Sequence, residues 1–89
     1  MREFEIKPNL KKILVKLFKK DRNTYGAVMD KISEVVNSAD PGHYKNLKYK
    51  LKELKRVHIG HFVLVFSYDK QKDFLSFVDY DHHDNIYKR

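Results

Sequence analysis

The end of the chain concentrates side chains that can transfer a proton near neutral pH. This tail reads Phe77-Val-Asp-Tyr-Asp-His-His-Asp-Asn-Ile-Tyr87. Two adjacent histidines, His82 and His83, are flanked by aspartates, and Tyr87 follows four residues after His83. Imidazole is the side chain whose ordinary pKa lies closest to physiological pH. The tail is therefore the first candidate for acid–base catalysis.

A dense run of basic residues precedes this tail. Within twelve residues, opposed only by Glu53 and followed by His58, lie Lys45, Lys48, Lys50, Lys52, Lys55 and Arg56. RNA cleavage needs one group that removes the proton of the ribose 2′-hydroxyl and another that protonates the departing 5′-oxygen. Cations then offset the charge that grows on the phosphate. The residue types supply the groups that cleavage of RNA needs, and the 2′-hydroxyl distinguishes RNA from DNA.

Each of these groups also has a structural interpretation. The histidine pair could simply be solvated at a strand end, and the lysines could form a solvated face. A metal site with Asp81 and Asp84 is a further alternative, but no matching His or Cys cluster lies elsewhere in the sequence. We therefore predict no metal and no cofactor. Tyr80 and Tyr87 could be packing residues at a sheet edge.

Length, charge and cysteine content narrow the class of protein. The 89 residues suffice for one domain, which we predict to span residues 1–89. A net charge of +7 predicts an anionic partner, although a lysine-rich solubilising surface is the alternative. Because the chain has no cysteine, disulfides and thiolate zinc sites are excluded. No apolar run reaches about 20 residues and no signal peptide is recognisable, so we expect a cytoplasmic protein without membrane contact.

The first half of the chain predicts one strand and two helices. Phe4 and Ile6 alternate with glutamates, which is typical of a short strand. From Pro8, which suits the first turn of a helix, apolar residues recur at helical spacing: Leu10, Ile13, Leu14, Leu17 and Phe18. Asp21 or Asn23 could cap a second helix, with the apolar stripe Tyr25, Val28, Met29, Ile32, Val35 and Val36. The short connection predicts an antiparallel helix hairpin.

The second half predicts three strands. The apolar period becomes two over residues 54–59, a nearly continuous apolar run at 62–68 is typical of a strand buried on both faces, and residues 74–80 form the last strand. Gly60-His61 predicts a tight turn. The order is β-α-α-β-β-β, which indicates an α+β fold with the helix hairpin packed on one face of a largely antiparallel, twisted sheet.

This topology brings the chemical groups together. Strands that are neighbours in sequence usually pair, so we expect a meander of the last three strands. Arg56 and His58 should then share a face with part of the following strands, and His82 and His83 should leave the sheet nearby. The sequence therefore predicts a basic surface that carries several imidazoles and a phenol.

Three segments resemble the RelE/ParE superfamily of toxins, and specifically its RelE/YafQ-like mRNA interferases. The segments are Asn46-Leu-Lys-Tyr-Lys-Leu-Lys52, Lys55-Arg-Val-His-Ile-Gly-His-Phe-Val-Leu-Val-Phe66 and Asp81-His-His-Asp-Asn-Ile-Tyr87. The similarity covers nearly the whole chain. It implies a RelE-like domain that enters the ribosomal A site, cleaves mRNA without a metal and so inhibits translation. It also implies a short, acidic, RelB-like antitoxin as partner, with the toxin alone a monomer.

The resemblance also implies roles for single residues. YafQ-like relatives carry a histidine four residues before a C-terminal aromatic, which His83 and Tyr87 match, and a histidine late in the strand before the short turn, which His58 matches. We predict that His83 is the leading general acid or base, that His58 is its partner, and that Tyr87 orients a base or assists proton transfer. The predicted RNA- and phosphate-binding residues are Lys48, Lys50, Lys52, Arg56, His61 and His82.

The chain also departs from the family pattern. Val63 and His83 stand where many RelE-like toxins have arginine, and His61 stands where YafQ-like relatives have aspartate. These departures favour a histidine-based mechanism over an arginine-based one, and a degenerate toxin of weak activity stays open. Two further alternatives are a non-catalytic ParE-like toxin that binds DNA gyrase and a basic nucleic-acid-binding module without nuclease activity.

Overall fold

The computed structural model describes residues 2–48 and 53–87. The strands and the two longer helices follow the predicted order, and a short third helix comes after the last strand: β1 (Glu3–Ile6), α1 (Pro8–Lys20), α2 (Arg22–Val36), β2 (Lys55–Ile59), β3 (Phe62–Asp69), β4 (Phe74–His82) and α3 (His83–Ile86). A 3₁₀ turn at Pro41–His43 lies between α2 and β2. None of the helices in the described part of the chain is long and apolar enough to cross a bilayer.

The four strands form one mixed sheet in the order β1-β4-β3-β2. The pairs β2–β3 and β3–β4 are antiparallel, as the predicted meander requires, while β1 pairs with β4 in parallel. The α+β fold with a largely antiparallel sheet is therefore confirmed. The β2–β3 turn is also confirmed: Gly60 adopts a φ of +64°, in the left-handed region that favours glycine in two-residue hairpin turns.

The helix hairpin has a clear local origin. Pro8 occupies the first turn of α1, where its missing N–H costs nothing. Asp21 is the single residue between the helices, and its carboxylate accepts a hydrogen bond of 3.1 Å from the backbone N–H of Thr24. This N-cap starts α2 in a new direction. Both helices pack on one face of the sheet, as predicted.

The sheet buries apolar residues on both faces. On the helix side, Leu64 and Phe66 of β3 join the main core with residues of α1, α2 and β4. Their neighbours Val63 and Val65 point to the opposite face, because side chains alternate along a strand. Strand β3 is thus buried on both faces, which confirms the prediction for its nearly continuous apolar run.

A bulge in β4 decides which residues of the tail face each side. Phe77 pairs with Phe66, but Asp79 pairs with Val65, so Val78 is left without a partner in β3. One extra residue reverses the alternation of every residue that follows it. As a result, His82 pairs with Phe62 on the helix side.

The tail differs from its predicted form. The last strand was predicted to end at Tyr80 but continues to His82. The chain then forms the helical turn α3, in a segment to which the sequence analysis assigned no secondary structure. Two of the predicted phosphate-binding residues, Lys50 and Lys52, lie outside the described residues.

Candidate functional site

The candidate site lies on the face of the sheet that the helix hairpin does not cover. His58 pairs across the strands with Val63, and Arg56 pairs with Val65. Cross-strand partners share a sheet face, so both polar side chains stand beside the apolar residues that line this face. A small core beneath the site contains Leu47, Val63, Val65 and Ile86. The prediction that Arg56 and His58 share one face of the sheet is therefore confirmed.

Helix α3 brings the tail over this small core. Ile86 is buried in it and anchors the turn. The backbone N–H of His83 donates to the carbonyl of His61 at 3.1 Å, which ties the start of α3 to the β2–β3 turn. His83 and Tyr87 are four residues apart and therefore lie on one side of the turn. Their rings meet edge to face, with centroids 5.7 Å apart.

The central feature of the site is a pair of imidazoles from different elements. The rings of His58 and His83 are stacked, with centroids 5.9 Å apart and an interplanar angle of 24°. Both residues are exposed. The structure therefore brings together the two histidines that the sequence predicted as catalytic partners, with Tyr87 beside them.

Arg56 contacts the imidazole of His58 and helps to lower its pKa. A guanidinium nitrogen of Arg56 lies 3.1 Å from Nδ1 of His58. Because guanidinium can only donate, Nδ1 of His58 is the acceptor and carries no proton. Partial desolvation of the ring, the charge of Arg56 and the proximity of His83 together lower the pKa of His58. The lowered pKa favours the neutral form of His58, in which the ring can accept a proton.

His83 has a different electrostatic environment. A carboxylate oxygen of Asp84 lies 3.6 Å from Nδ1 of His83, a distance at which it attracts a protonated ring. The two stacked imidazoles therefore face opposite influences, one from a cation and one from an anion. The sequence analysis considered Asp84 only as a possible metal ligand. Its position directly after His83 was the signal that its carboxylate would lie near the ring of His83.

A hydrogen bond links the lysine segment to the site. The hydroxyl of Tyr87 accepts from the backbone N–H of Lys48 at 3.2 Å. This contact places Lys48, an exposed residue, beside the aromatic end of the site. Of the predicted phosphate-binding lysines, Lys48 is the one within the described residues, and the structure brings it to the site.

Lys55 has a structural role that sequence reasoning missed. Its ammonium group donates to the carbonyls of Gly42 and Tyr44 and to the side chain of Asn46, at 2.9–3.1 Å. It thereby fixes the loop before Lys48 against β2. Tyr44 packs edge to face on Phe66. No signal in the lysine-rich run separates Lys55 from the other lysines.

His61 and His82 form a second pair. Their rings are stacked with centroids 6.4 Å apart, and His82 also meets the edge of Phe62 at 5.5 Å. Nδ1 of His82 accepts a 3.2 Å hydrogen bond from the backbone N–H of Asp84, so His82 is the N-cap of α3. Both residues were predicted to bind phosphate, but their rings contact each other and not those of His58 or His83.

Within residues 2–48 and 53–87, no group of three or more His, Asp or Glu side chains could share a metal ion. The candidate site consists of a neutral imidazole, a second imidazole beside a carboxylate, a guanidinium, a phenol and a lysine. This set can bind a phosphodiester and transfer protons to and from it.

One known protein is similar to this chain over its full length. No family model matches the chain. The chain is 50% identical over 90 residues to a candidate toxin named RelE4 from Methanocaldococcus jannaschii, with 100% of this chain and 94% of the relative covered. Identity at this level over the full length indicates a common family.

Solved structures show the same fold. A metal-bound toxin from Helicobacter pylori superposes with a TM-score of 0.74 at 22% identity, covering 97% of this chain and 99% of that one. The toxin–antitoxin complex RelBE2 from Mycobacterium tuberculosis gives 0.69 at 19% identity, with 92% and 91% covered. YafQ from E. coli gives 0.68 at 17% identity, with 98% and 99% covered.

Proposed function

The chain belongs to the RelE family of toxin–antitoxin toxins, and on this premise we propose that it is a ribosome-dependent endoribonuclease that cleaves mRNA in the ribosomal A site. The observation that carries the proposal is the stacked pair of His58 and His83, with Arg56 beside it on an open face of the sheet. Two imidazoles in opposite electrostatic environments supply the base and the acid that phosphodiester cleavage needs.

The base in this proposal is His58. Its lowered pKa keeps the ring neutral, and Arg56 holds the lone pair of Nδ1 until substrate binds. When the guanidinium turns to the scissile phosphate, Nδ1 is free to accept the proton of the ribose 2′-hydroxyl. The 2′-oxygen then attacks phosphorus, and Arg56 offsets the charge that grows on the phosphate oxygens.

The acid is His83. A carboxylate oxygen of Asp84 lies 3.6 Å from Nδ1 of His83, and the protonated ring donates its proton to the departing 5′-oxygen as the P–O5′ bond breaks. The products are a 2′,3′-cyclic phosphate and a free 5′-hydroxyl, so the step needs no water and no further reactant. Tyr87 packs against His83 and positions Lys48, and it can orient a base or assist proton transfer.

The openness of the site supports dependence on the ribosome. His58 and His83 are exposed on a sheet face rather than enclosed in a cleft, so the chain offers few contacts that would hold a short RNA. A ribosome would hold the mRNA in place and supply the proximity that the site lacks. The net charge of +7 suits such an RNA-rich surface. We assign rRNA or phosphate binding to Lys48, Lys50 and Lys52.

The same charge suits an acidic inhibitor. One structural neighbour is a toxin–antitoxin complex, and we propose that this chain binds a short, acidic, RelB-like antitoxin. Without it, the toxin would be a monomer. Electrostatic attraction between a basic toxin and an acidic antitoxin accelerates their association, and added salt would slow it.

The test is a translation reaction on programmed ribosomes in which cuts in the mRNA are mapped. His58→Ala and His83→Ala should each lower the cleavage rate by about 10²–10⁴-fold, the usual contribution of a general acid or base. His43→Ala is the matched control, because His43 is an exposed histidine whose ring lies against Tyr44 in the loop before β2. If both site variants cut at the wild-type rate, the assignment is wrong. Inhibition of gyrase supercoiling by the same preparation would then point to a ParE-like toxin.

A further inference from the structure

The segment before β2 lies along the edge of the sheet like a short extra strand. Asn46 pairs with Lys55, the first residue of β2, in antiparallel orientation. On one side of this pair, the backbone N–H of Leu47 donates to the carbonyl of Leu54 at 2.8 Å. On the other side, the backbone N–H of Arg56 donates back to this segment at 3.0 Å. The segment therefore covers the start of β2, and its side chains alternate between the two faces of the sheet.

This alternation places Lys55 and the imidazole pair on opposite faces. Lys55 pairs across the strands with Phe66, which belongs to the main core on the helix side. Leu47 instead enters the small core on the open face. His58 and His83 lie on that open face. Lys55 is thus separated by the sheet from a substrate that is held at the imidazoles.

The ammonium group of Lys55 holds the segment through all three of its donors. Its Nζ lies 3.1 Å from the carbonyls of Gly42 and Tyr44 and 2.9 Å from Oδ1 of Asn46. A lysine has three N–H donors, so each donor has its own acceptor. Among the described residues, no carboxylate lies within 4.0 Å of this group. The charge of Lys55 therefore serves to hold neutral oxygens of the loop and not to form an ion pair.

The held segment contacts α3 in two ways. Leu47 packs in the small core with Ile86, the buried residue of α3. The backbone N–H of Lys48 donates to the hydroxyl of Tyr87 at 3.2 Å. The ring of Tyr87 in turn meets that of His83 edge to face, with centroids 5.7 Å apart. The position of the His83 ring therefore depends on this segment.

We propose that Lys55 is a positioning residue for RNA cleavage. It fixes residues 42–48 against β2, and through α3 this segment sets the ring of His83 against that of His58. The inference rests on the proposed function, in which these two imidazoles transfer the protons. A misplacement of about 1 Å far from the chemistry can lower a rate about 10²-fold. A residue that does not touch the substrate can therefore still control the rate.

The variant Lys55→Met removes the ammonium group and keeps most of the aliphatic stem. On programmed ribosomes, we expect kcat for mRNA cleavage to fall about tenfold and KM to change by less than about twofold, since no contact with the substrate is lost. The acid limb of the pH profile should not move, because Lys55 is not among the groups that lower the pKa of His58. Lys55→Arg should restore most of the lost rate, because a guanidinium can donate to the same oxygens.

The matched control is Lys31→Met. Lys31 is a partly buried lysine of α2 that pairs with Glu34 at 3.1 Å. Its replacement removes the same charge at a distance from the site, so it should leave kcat unchanged. A tenfold loss of kcat in this control would attribute the effect to net charge and would contradict a positioning role for Lys55.

Hydrogen exchange and NMR spectra test the link without any measurement of cleavage. The amide of Lys48 should exchange faster in Lys55→Met, while amides of β3 and β4 keep their wild-type protection. Contacts between the ring protons of His58 and His83 should be lost in Lys55→Met and kept in Lys55→Arg. If His58→Ala and His83→Ala cleave mRNA at the wild-type rate, the proposed function fails, but these spectra still decide whether Lys55 positions His83.

A double variant separates a positional effect from a general loss of stability. Tyr87→Phe removes the hydroxyl that accepts from Lys48 and breaks the same link at its other end. The loss of kcat in Lys55→Met/Tyr87→Phe should therefore be well below the product of the two single losses. Losses that multiply in full would mean that Lys55 acts independently of Tyr87, and the proposal would be wrong.

Three other results would overturn the proposal. A wild-type kcat in Lys55→Met would show that cleavage does not need the held segment. A raised KM with a shallower salt dependence and an unchanged kcat would make Lys55 a direct RNA contact. A lower urea-unfolding midpoint with equally faster exchange at every amide would reduce Lys55 to a contribution to stability.

A milder variant decides the question if Lys55→Met does not fold. Asn46→Ala removes one of the three acceptors of Lys55 at an exposed position. It should lower kcat about twofold to threefold, in keeping with the loss of a single hydrogen bond, and should accelerate exchange at Lys48. No change in either quantity would refute the positioning role.

Discussion

Variants of His82 distinguish two roles for this residue. In the structure it is the N-cap of α3, whereas the sequence predicts that it binds phosphate. In the structure, Nδ1 of His82 accepts the backbone N–H of Asp84 and so starts α3, the turn that carries His83 and Tyr87. His82→Ala removes this acceptor. His82→Asn retains a good N-cap acceptor and removes the imidazole. The two variants therefore have opposite expected outcomes.

The size of the effect follows from how weakly α3 is held. A helix of four residues has no stability of its own. Burial of Ile86 offsets only part of the conformational entropy lost when the turn is ordered, so α3 depends on its cap. Loss of a cap worth about 1 kcal/mol lowers the ratio of ordered to disordered α3 about fivefold. We expect His82→Ala to lower kcat/KM by about twofold to fivefold, far less than the loss for a catalytic histidine.

Two measurements check this prediction. Cleavage on programmed ribosomes should be reduced for His82→Ala and restored for His82→Asn. Hydrogen exchange of the amides at residues 83–87 should accelerate in the alanine variant alone. His61→Ala is the control, because it removes the stacked ring next to His82 but leaves the cap in place.

One pattern of results would refute a capping role for His82. If His82→Asn is as impaired as His82→Ala, and exchange at residues 83–87 is unchanged in both, then the imidazole itself is required. A shallower dependence of cleavage on salt concentration in both variants would then indicate a phosphate contact by His82.

Two more predictions concern protonation and stability. Because the charge of Arg56 helps to lower the pKa of His58, cleavage should fall as pH drops through that lowered pKa. Arg56→Gln should move the acid limb of the kcat/KM profile to higher pH, and an unmoved limb would exclude His58 as the base. Arg2→Gln should lower the free energy of unfolding by about 2 kcal/mol, since the largely buried Arg2 donates to the carbonyls of Val36, the last residue of α2, and of Ser38 just beyond it. Urea denaturation measures this change. Arg22→Gln, at an exposed position with a weaker contact, should change the free energy of unfolding by less than about 0.5 kcal/mol.

The regular elements were predictable because their signals are local. Pro8 marks the start of the first helix, as predicted. Of the two predicted caps of the second helix, Asp21 and Asn23, the structure has Asp21. The unbroken apolar run after His61 indicated a strand buried on both faces, which β3 is. The parallel pairing of β1 with β4 has no comparable local signal. The two strands are about 70 residues apart in the sequence, and no turn connects them directly.

The candidate site was predictable only in part. The types of residue were evident, and so was the shared face of Arg56 and His58, which follows from alternation within one strand. The helical turn after His82 was missed, because four residues are too few to show a helical period. Lys55 was indistinguishable from its neighbours, since its contacts with Gly42, Tyr44 and Asn46 depend on how the preceding loop folds back.

The bulge at Val78 explains why the sequence alone does not decide which tail histidine joins His58. With strict alternation from Phe77, which faces the helices, His82 would point to the open face and His83 to the helix side. The unpaired Val78 reverses this order, so that His82 pairs with Phe62 on the helix side and His83 reaches the ring of His58. Nothing in the sequence marks this bulge, since valine is a residue type typical of regular strands. The proposed chemistry therefore depends on one extra residue in β4: it selects the partner of His58 and leaves the other histidine to cap α3.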